Sequence, residues 1–259
     1  MLRDIAVRGS AKRREKPHLS LLKCGHMGNG LSVFACQAWF MLRNSLVVGP
    51  VGCNCTVVAC PVTREALIVD PGGDAGKILA LLAKMGARAV GIVHTHGHFD
   101  HILGTREVAA ATGAPVSIHG GDLELYRGLV RRARCFDLVA EEPPEPAQIL
   151  VGGETMRFGQ LQARVLHTPG HTPGSVGLYI ETTGDAPLLL AGDTLFAGGI
   201  GRTDLPGGSW EQILRSIRDT LFALPDETVV VAGHGDETTI GEEREHNPYV
   251  GRLASGGSD

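Results

Sequence analysis

The chain has 259 residues, of which 43% are apolar and 20% charged, with a formal net charge of -4. That length holds one domain or at most two small ones, no apolar run approaches the roughly 18 to 20 residues that cross a bilayer, and the mild acidity offers no broad basic face for nucleic-acid phosphates. The 36 Gly are about twice the usual share but follow no Gly-X-Y period, so they ask for loops with special backbone angles rather than for a collagen-like chain.

Residues 1–45 differ in character from the rest of the chain. A basic stretch, Lys12 to Lys16, precedes an apolar segment, Leu31 to Leu42. A secretory signal has this order, with an apolar core of roughly 7 to 15 residues. Here the basic cluster lies far from Met1 and no Ala-x-Ala-like site comes before the first strand. Residues 1–45 therefore read as an extension outside the core, with Met41 as a candidate start of the folded chain. Residues 46–252 read as the catalytic domain and residues 253–259 as a flexible tail. The six Cys, at 24, 36, 53, 55, 60 and 135, form no Cys-x-x-Cys pair. Scattered thiols suit a reducing, cytoplasmic setting and small buried side chains; the alternative is a disulfide among Cys53, Cys55 and Cys60.

From Leu46 the pattern becomes regular. Short β-rich runs at Leu46 to Val48, Thr56 to Ala59 and Ala66 to Val69 read as hairpin-connected strands. A helix is predicted from Ala75 to Met85, with Ile78, Leu79, Leu82 and Met85 at helical spacing and Gly86 as its stop. The strand Ala89 to Val93 runs into His94-Thr95-His96-Gly97-His98-Phe99-Asp100-His101. A helix near Thr105 to Ala111, a strand Pro115 to Ile118 and a helical stretch Asp122 to Arg134 come next. The Pro-rich segment Glu141 to Pro146 can be neither helix nor central strand and is expected to connect two halves. Strands are predicted at Thr155 to Phe158, Gln162 to Leu166, Val176 to Ile180 and Leu188 to Ala191. A helix then starts at Trp210, with Ser209 and Gln212 as a capping box. Its core face is Trp210, Ile213, Leu214, Ile217 and Leu221, and a strand at Val229 to Ala232 comes after it. Two halves of this kind predict two packed sheets with helices outside.

Four groups stand directly after strands and fall in loops, where functional side chains are best presented. They are His96-x-His98-x-Asp100-His101, His171 in His167-Thr168-Pro169-Gly170-His171, Asp193 in Ala191-Gly192-Asp193-Thr194, and His234 in Ala232-Gly233-His234-Gly235. Imidazoles and carboxylates without thiolates suit zinc, iron or manganese sites that keep positions open for water or substrate. No Ser or Cys nucleophile stands in a convincing setting. His94 and His167 flank these loops and are expected to hydrogen-bond or pack; His18, His26, His119 and His246 have no matching partner.

The set His96, His98, Asp100, His101, His171, Asp193 and His234 resembles the metal-binding pattern of the metallo-β-lactamase superfamily over about Leu46 to Val250. The resemblance implies an α/β fold, a four-layer αββα sandwich with a two-metal site at the edge of its inner sheets. It implies that His96, His98 and His171 hold one divalent ion, that Asp100, His101 and His234 hold the other, and that Asp193 bridges them. Zinc is the expected ion, with iron or manganese accepting the same ligands. Asp70, in Ile68-Val69-Asp70-Pro71-Gly72, matches the family's first motif and is expected to support a loop or an imidazole. Two such ions would share a hydroxide for attack and stabilise the resulting oxyanion, with Asp100 and Asp193 as the catalytic carboxylates.

Within the superfamily, Thr95 to His101, His167 to Gly174 and Gly192 to Phe196 are most similar to the glyoxalase II group (hydroxyacylglutathione hydrolases). The loop Gly198 to Leu205 and the run Gly233 to Thr239 resemble its single-domain bacterial type. The implied activity is hydrolysis of an acyl thioester such as S-lactoylglutathione, a small-molecule substrate, with no nucleic-acid or membrane partner; a homo-oligomer is left open. Larger members carry a basic C-terminal helical region, whereas nine residues follow Val250 here, so a different thioester or ester is also expected to be open. Arg202 is either a cation for a substrate carboxylate or a loop arginine paired with Asp204. The rival enzymes are a mononuclear-iron persulfide dioxygenase, whose family shares the Gly-Arg-Thr-Asp loop and uses residues matching His96, His171 and Asp193, and a lactonase of the same fold.

Overall fold

The computed structural model describes residues 40–252. The basic segment Lys12 to Lys16, most of the Leu31 to Leu42 run, Cys24, Cys36, His18, His26 and the tail 253–259 lie outside the described residues.

The first sheet begins earlier than residue 46. Strand β1, Leu42–Val48, pairs antiparallel with β2, Cys53–Ala59, from Leu42 opposite Ala59 to Val48 opposite Cys53. Residues 42–45 therefore belong to the domain, which corrects the boundary expected at 45/46. The polar Arg43, Asn44 and Ser45 hide the strand from a hydrophobic pattern, because β1 is an edge strand and only partly covered. The sheet continues through β3 (Glu65–Val69), β4 (Arg88–Val93), β5 (Val116–His119) and β6 (Gln148–Leu150), with β3 to β6 all parallel.

The second sheet is ordered β14-β13-β10-β9-β8-β7, where β7 is Thr155–Phe158, β8 Leu161–His167, β9 Val176–Ile180, β10 Leu188–Gly192, β13 Val229–Ala232 and β14 Thr238–Thr239. A small ribbon joins β11, Leu195–Phe196, to β12, Gly199–Ile200. The Pro-rich segment does not divide the halves. It leads into β6, which is still part of the first sheet, and it is tied to the preceding helices by Tyr126, whose hydroxyl donates to Pro144 O at 2.7 Å, and by the Arg127 to Glu145 ion pair. The chain crosses to the second sheet only after β6.

Strand alternation separates three hydrophobic interiors, and these define four layers. Val57, Ala59, Ala66 and Ile68 face outward onto α1 (Ala75–Lys84) and α2 (Thr105–Thr112) through Ile78, Leu82 and Val108. Val58, Leu67, Val69 and Val93 face the other way, onto Val165, Leu178, Leu188, Leu190 and Val231 of the second sheet. The outer face of that sheet, Leu166, Tyr179, Leu189 and Val230, packs on Ile213, Ile217, Leu221 and Ile240. Strands covered on both faces become continuous apolar runs, as Leu188 to Ala191 shows. The architecture is the αββα sandwich that the resemblance implied.

Three local expectations change. The stretch 122–134 is two short helices, α3 (Leu123–Arg127) and α4 (Leu129–Arg134), interrupted at Gly128, the residue least favourable to a helix interior after proline. Helix α5, Trp210–Arg215, widens into a π-helical turn, Ser216–Leu221. It buries Ile213, Ile217 and Leu221 but leaves Trp210 51% exposed against Tyr249. Ser209 Oγ caps Gln212 N, yet Ser209 N donates to Gly170 O at 2.7 Å, so the reciprocal half of the capping box is replaced by a tertiary bond.

Candidate metal centre

Strand directions bring the ligand loops together. β3 and β4 run parallel in the first sheet, and β10 and β13 run parallel in the second. β8 shares β10's direction because both are antiparallel to β9. The segments after these five strands, β3, β4, β10, β13 and β8, carry Asp70, His94 to His101, Asp193, His234 and His171 in that order. Two hydrogen bonds tie the sheets at this edge, Val176 N to Thr95 O at 2.8 Å and Asn54 N to Gly233 O at 2.7 Å. Asn54 also donates its side-chain amide to Ala232 O and Gly235 O, both at 3.0 Å, so it grips the His234 loop from both sides.

Four of the five converging imidazoles are fixed by an acceptor on the far side. His171 Nδ1 donates to Arg202 O at 2.8 Å, His234 Nδ1 to Gly52 O at 3.1 Å and His101 Nδ1 to Asp70 Oδ2 at 3.0 Å. Thr95 Oγ1 donates to Asp70 Oδ2 at 2.6 Å, which leaves the hydroxyl oxygen to accept from His96 Nδ1 at 3.1 Å. With Nδ1 protonated in all four rings, the four Nε2 lone pairs point inward. His98 turns the other way and offers Nδ1, 2.9 Å from His171 Nε2.

The inward atoms form groups in which every pair lies within 4.8 Å: His96 with His98 and His171, Asp100 with His101 and His234, and His96 with His101 and Asp193. Asp193 faces both halves, with Oδ2 3.6 Å from His171 Nε2 and 3.7 Å from His234 Nε2, and Oδ1 3.5 Å from His101 Nε2. Asp100 Oδ2 stands 3.2 Å from His234 Nε2.

Such an assembly needs cations. His101 Nε2 and His234 Nε2 are 3.3 Å apart, so a cation must sit between them; although burial pulls both rings down, the charges around them, Asp193 among them, hold both above the usual imidazole value, and a divalent ion can take the place of the proton they would otherwise share. His96 Nε2 and Asp193 Oδ1 are buried without a hydrogen-bond partner, and an orphaned buried acceptor is costly. Burial, then the neighbouring His171, pulls His98 down to about 3, and burial holds His96 well below the usual imidazole value; both rings are thus kept in the neutral form that ligates metal. Nitrogen and carboxylate donors in two triads, with a carboxylate between them, fit divalent ions.

Asp70 lies behind His101 and Thr95. Its Oδ1 accepts from Thr95 N at 2.8 Å and its Oδ2 from Thr95 Oγ1 and His101. Its φ of 52° is a left-handed conformation that Asp and Asn tolerate better than most residues. His94 and His167 stay outside the converging set: His94 Nε2 meets Thr105 Oγ1 at 3.1 Å, and His167 meets Pro173 O at 3.0 Å and stacks on His119. Arg202 gives its guanidinium to both oxygens of Asp204, each at 2.8 Å, and supplies the cluster with its backbone carbonyl. Cys53 Sγ lies 3.5 Å from His101 Nδ1. Burial pushes this thiol up to about 11, so it is a packing group and not a nucleophile. Cys53, Cys55 and Cys60 are buried free thiols.

Sequence reasoning missed Asp122. Fully buried, it accepts from Gly97 N at 2.7 Å, Thr172 Oγ1 at 2.7 Å and Gly174 N at 2.6 Å, tying the His96–His98 loop to the His171 loop. A Cβ at Gly174 would stand 2.6 Å from Asp122 N. The signal for it was weak: an Asp after Gly120-Gly121 at the start of a predicted helix. Gly233 is likewise required for space, since a Cβ there would collide with Asp193 Oδ1 and stand 2.7 Å from His101 Cε1.

The centre opens into a cavity of about 400 Å³ lined by His98, Asp100, His171, Asp193 and His234 on one side, with Val51, Phe99, Phe136, Leu205 and Pro206 among the apolar walls. Among the described residues no helix is long and apolar enough to cross a membrane.

Known proteins resemble this chain in sequence and fold. The metallo-beta-lactamase superfamily model matches residues 48–234. An uncharacterized protein of Aquifex aeolicus is 40% identical over 216 residues, 83% of this chain and 100% of its own. The hydroxyacylglutathione hydrolase GloC of Haemophilus influenzae is 35% identical over 201 residues, 76% of this chain and 92% of its own. Among solved structures, TTHA1623 in a di-iron-bound form superposes with a TM-score of 0.70 at 36% identity, covering 80% of this chain and 99% of that one. The BLEG-1 B3 metallo-beta-lactamase gives 0.71 at 33% identity, covering 81% and 99%. ETHE1 from Myxococcus xanthus gives 0.68 at 29%, covering 81% and 84%. With that match over most of the folded chain and a His/Asp cluster built for divalent ions, the chain belongs to the metallo-β-lactamase superfamily of metal-dependent hydrolases.

Proposed function

We propose that the protein is a glyoxalase II-like thioester hydrolase with two divalent metal ions, zinc by the chemistry of its donors, acting on an acyl thioester such as S-lactoylglutathione. His96, His98 and His171 would hold one ion and Asp100, His101 and His234 the other, with Asp193 facing both. The observation that carries this reading is the completeness of the second triad. A single ion on His96, His171 and Asp193 leaves His101 Nε2 and His234 Nε2 facing each other at 3.3 Å.

Two such ions acidify water and supply positive charge to a carbonyl oxygen. The chain does the rest. Asp100, 12% exposed at its side chain, lines the cavity; against the upward pull of burial, its hydrogen bond to His234 and the charge of His101 hold its carboxyl down at about 2, so it stays a carboxylate that accepts a hydrogen bond from the attacking water and orients it. Asp70, through His101, and the Arg202 carbonyl, through His171, keep the imidazoles in the ligating tautomer. The apolar walls at Val51, Phe99 and Leu205 exclude bulk water from the thioester and strengthen every charge interaction at its carbonyl.

Support for the substrate comes from the similarity to the Haemophilus hydroxyacylglutathione hydrolase. The similarity to ETHE1 and the Arg202–Asp204 loop favour the rival, a persulfide dioxygenase with one iron. Metal analysis and a thioester, lactone and persulfide panel on one preparation separate the two. Thioester cleavage with two ions per chain supports the proposal, and oxygen uptake on glutathione persulfide with one iron removes it.

A further inference from the structure

The cavity holds two arginines, and they are not equivalent. Arg202 is neutralised by a bidentate pair with Asp204. Arg132, on α4, lines the same cavity, yet its Nε is buried without a hydrogen-bond partner, and its guanidinium has no ion pair among the described residues. Helix α4 is anchored by Leu129 and Ala133, 1% and 0% exposed, so the arginine is carried on a docked element and not on a loose loop. The acidic residues lining the cavity are Asp100 and Asp193, and both face the metal triads. A guanidinium with no carboxylate of its own, beside residues that would hold divalent ions, leaves the cavity suited to an anion, and a buried N–H donor without an acceptor is unfavourable.

We propose that Arg132 is the specificity-determining cation of this site and that it binds a carboxylate carried by the substrate, forming the charge-assisted pair that a planar guanidinium fork suits. This rests on the thioesterase reading and deepens it. The substrate class becomes an anionic thioester, its reacting carbonyl at the metals, its carboxylate at Arg132 and its apolar part against Phe99 and Phe136. Arg202, the cation that the sequence singles out, is left to shape the loop.

The test uses Arg132→Gln and Arg132→Lys in the metal-loaded full chain with three thioesters: S-acetyl-3-mercaptopropionate, the adipoyl monothioester of N-acetylcysteamine, and neutral S-acetyl-N-acetylcysteamine. The expected result for R132Q is a KM raised about 10- to 100-fold for a carboxylate substrate, the range of a charge-assisted hydrogen bond. The neutral substrate stays within about twofold with kcat held, since only substrate binding is lost. The first two substrates show whether the carboxylate lies on the thiol or the acyl side, and R132K recovers part of the loss. Equal losses on all three substrates, or none, overturn the proposal.

Calorimetric binding of S-benzyl-3-mercaptopropionate and its amide supplies a readout free of turnover. If wild type prefers the acid and R132Q does not, Arg132 is upheld even when no thioester is cleaved, and the thioesterase reading alone falls. If thioesters are cleaved but R132Q alters neither the acid preference nor the KM of either carboxylate substrate, Arg132 falls and the thioesterase reading stands.

Discussion

Asp70 and His101 share a buried hydrogen bond of 3.0 Å between Oδ2 and Nδ1, and the same carboxylate holds Thr95 through its N and Oγ1. One side chain thus orients an imidazole of the second triad and the backbone just before His96. Asp70→Asn keeps the left-handed backbone but turns one acceptor into a donor facing His101. The expected result is a metal affinity at the Asp100, His101 and His234 triad weakened by about 10- to 100-fold, with the other triad less affected. Chelator competition followed by metal analysis reads this, and an unchanged second ion would leave Asp70 with a backbone role alone.

Asp122 makes a different prediction. Replacing it with Ala strands the Gly97 and Gly174 amides and the Thr172 hydroxyl, at about 1 to 3 kcal/mol for each unsatisfied group. With three such groups the melting temperature should fall by at least about 6 °C, taking about 2 to 4 °C per kcal/mol at this size. Turnover measured well below the transition should fall too, because the His98 and His171 loops lose their common tie. A normal melting curve would show that the two loops hold their positions without it.

The proton affinities of His98 and His234 are shifted in opposite directions. Burial, then His171, pulls His98 down to about 3. At His234 burial also pulls downward, but its hydrogen bond to Asp100 and the charge of Asp193 outweigh it and hold the ring above the ordinary imidazole value. A proton competes with a cation for the ring nitrogen, and the ring with the higher proton affinity meets that competition at higher pH. As pH falls, the ion of Asp100, His101 and His234 should leave first and the ion of His96, His98 and His171 later. Metal content after equilibration across a pH series checks this, and a reversed order would contradict it.

The amino-terminal boundary can be tested by truncation. A variant beginning at Met41 keeps all of β1 and should retain the fold and turnover. One beginning at Leu46 loses the pairings of Leu42, Arg43, Asn44 and Ser45 with Ala59, Val58, Val57 and Thr56 and the Arg43 to Glu237 ion pair. The exposed pair counts for little and the ladder bonds for about 1 kcal/mol each, so its melting temperature should drop by about 5 to 10 °C. Equal stability of the two variants would place residues 42–45 outside the cooperative domain.

The ligand loops and most strands were legible because their signals are local. His96 to His101 sit in one octapeptide, and Leu188 to Ala191 is an unbroken apolar run of a strand buried on both faces. What escaped depends on tertiary context. β1 is an edge strand with polar residues, β6 is three residues long, and α6 (Ile240–His246) was announced only by the Thr239 cap on Glu242 N. Asp122 and Asn54 act on loops distant in sequence, and no spacing rule reaches from 122 to 172 or from 54 to 235. Arg202 and Arg132 show the same limit. Arg202 lies in a recognisable loop, while the lack of a partner at Arg132 exists only in three dimensions.

Two ions sharing Asp193 are the centre of the proposed chemistry. Stripped protein titrated with zinc while S-lactoylglutathione hydrolysis is recorded tests this directly. The predicted result is turnover that rises to a plateau at about two equivalents per chain. A plateau at one equivalent, or thioester turnover unaltered in Asp193→Ala, would contradict it.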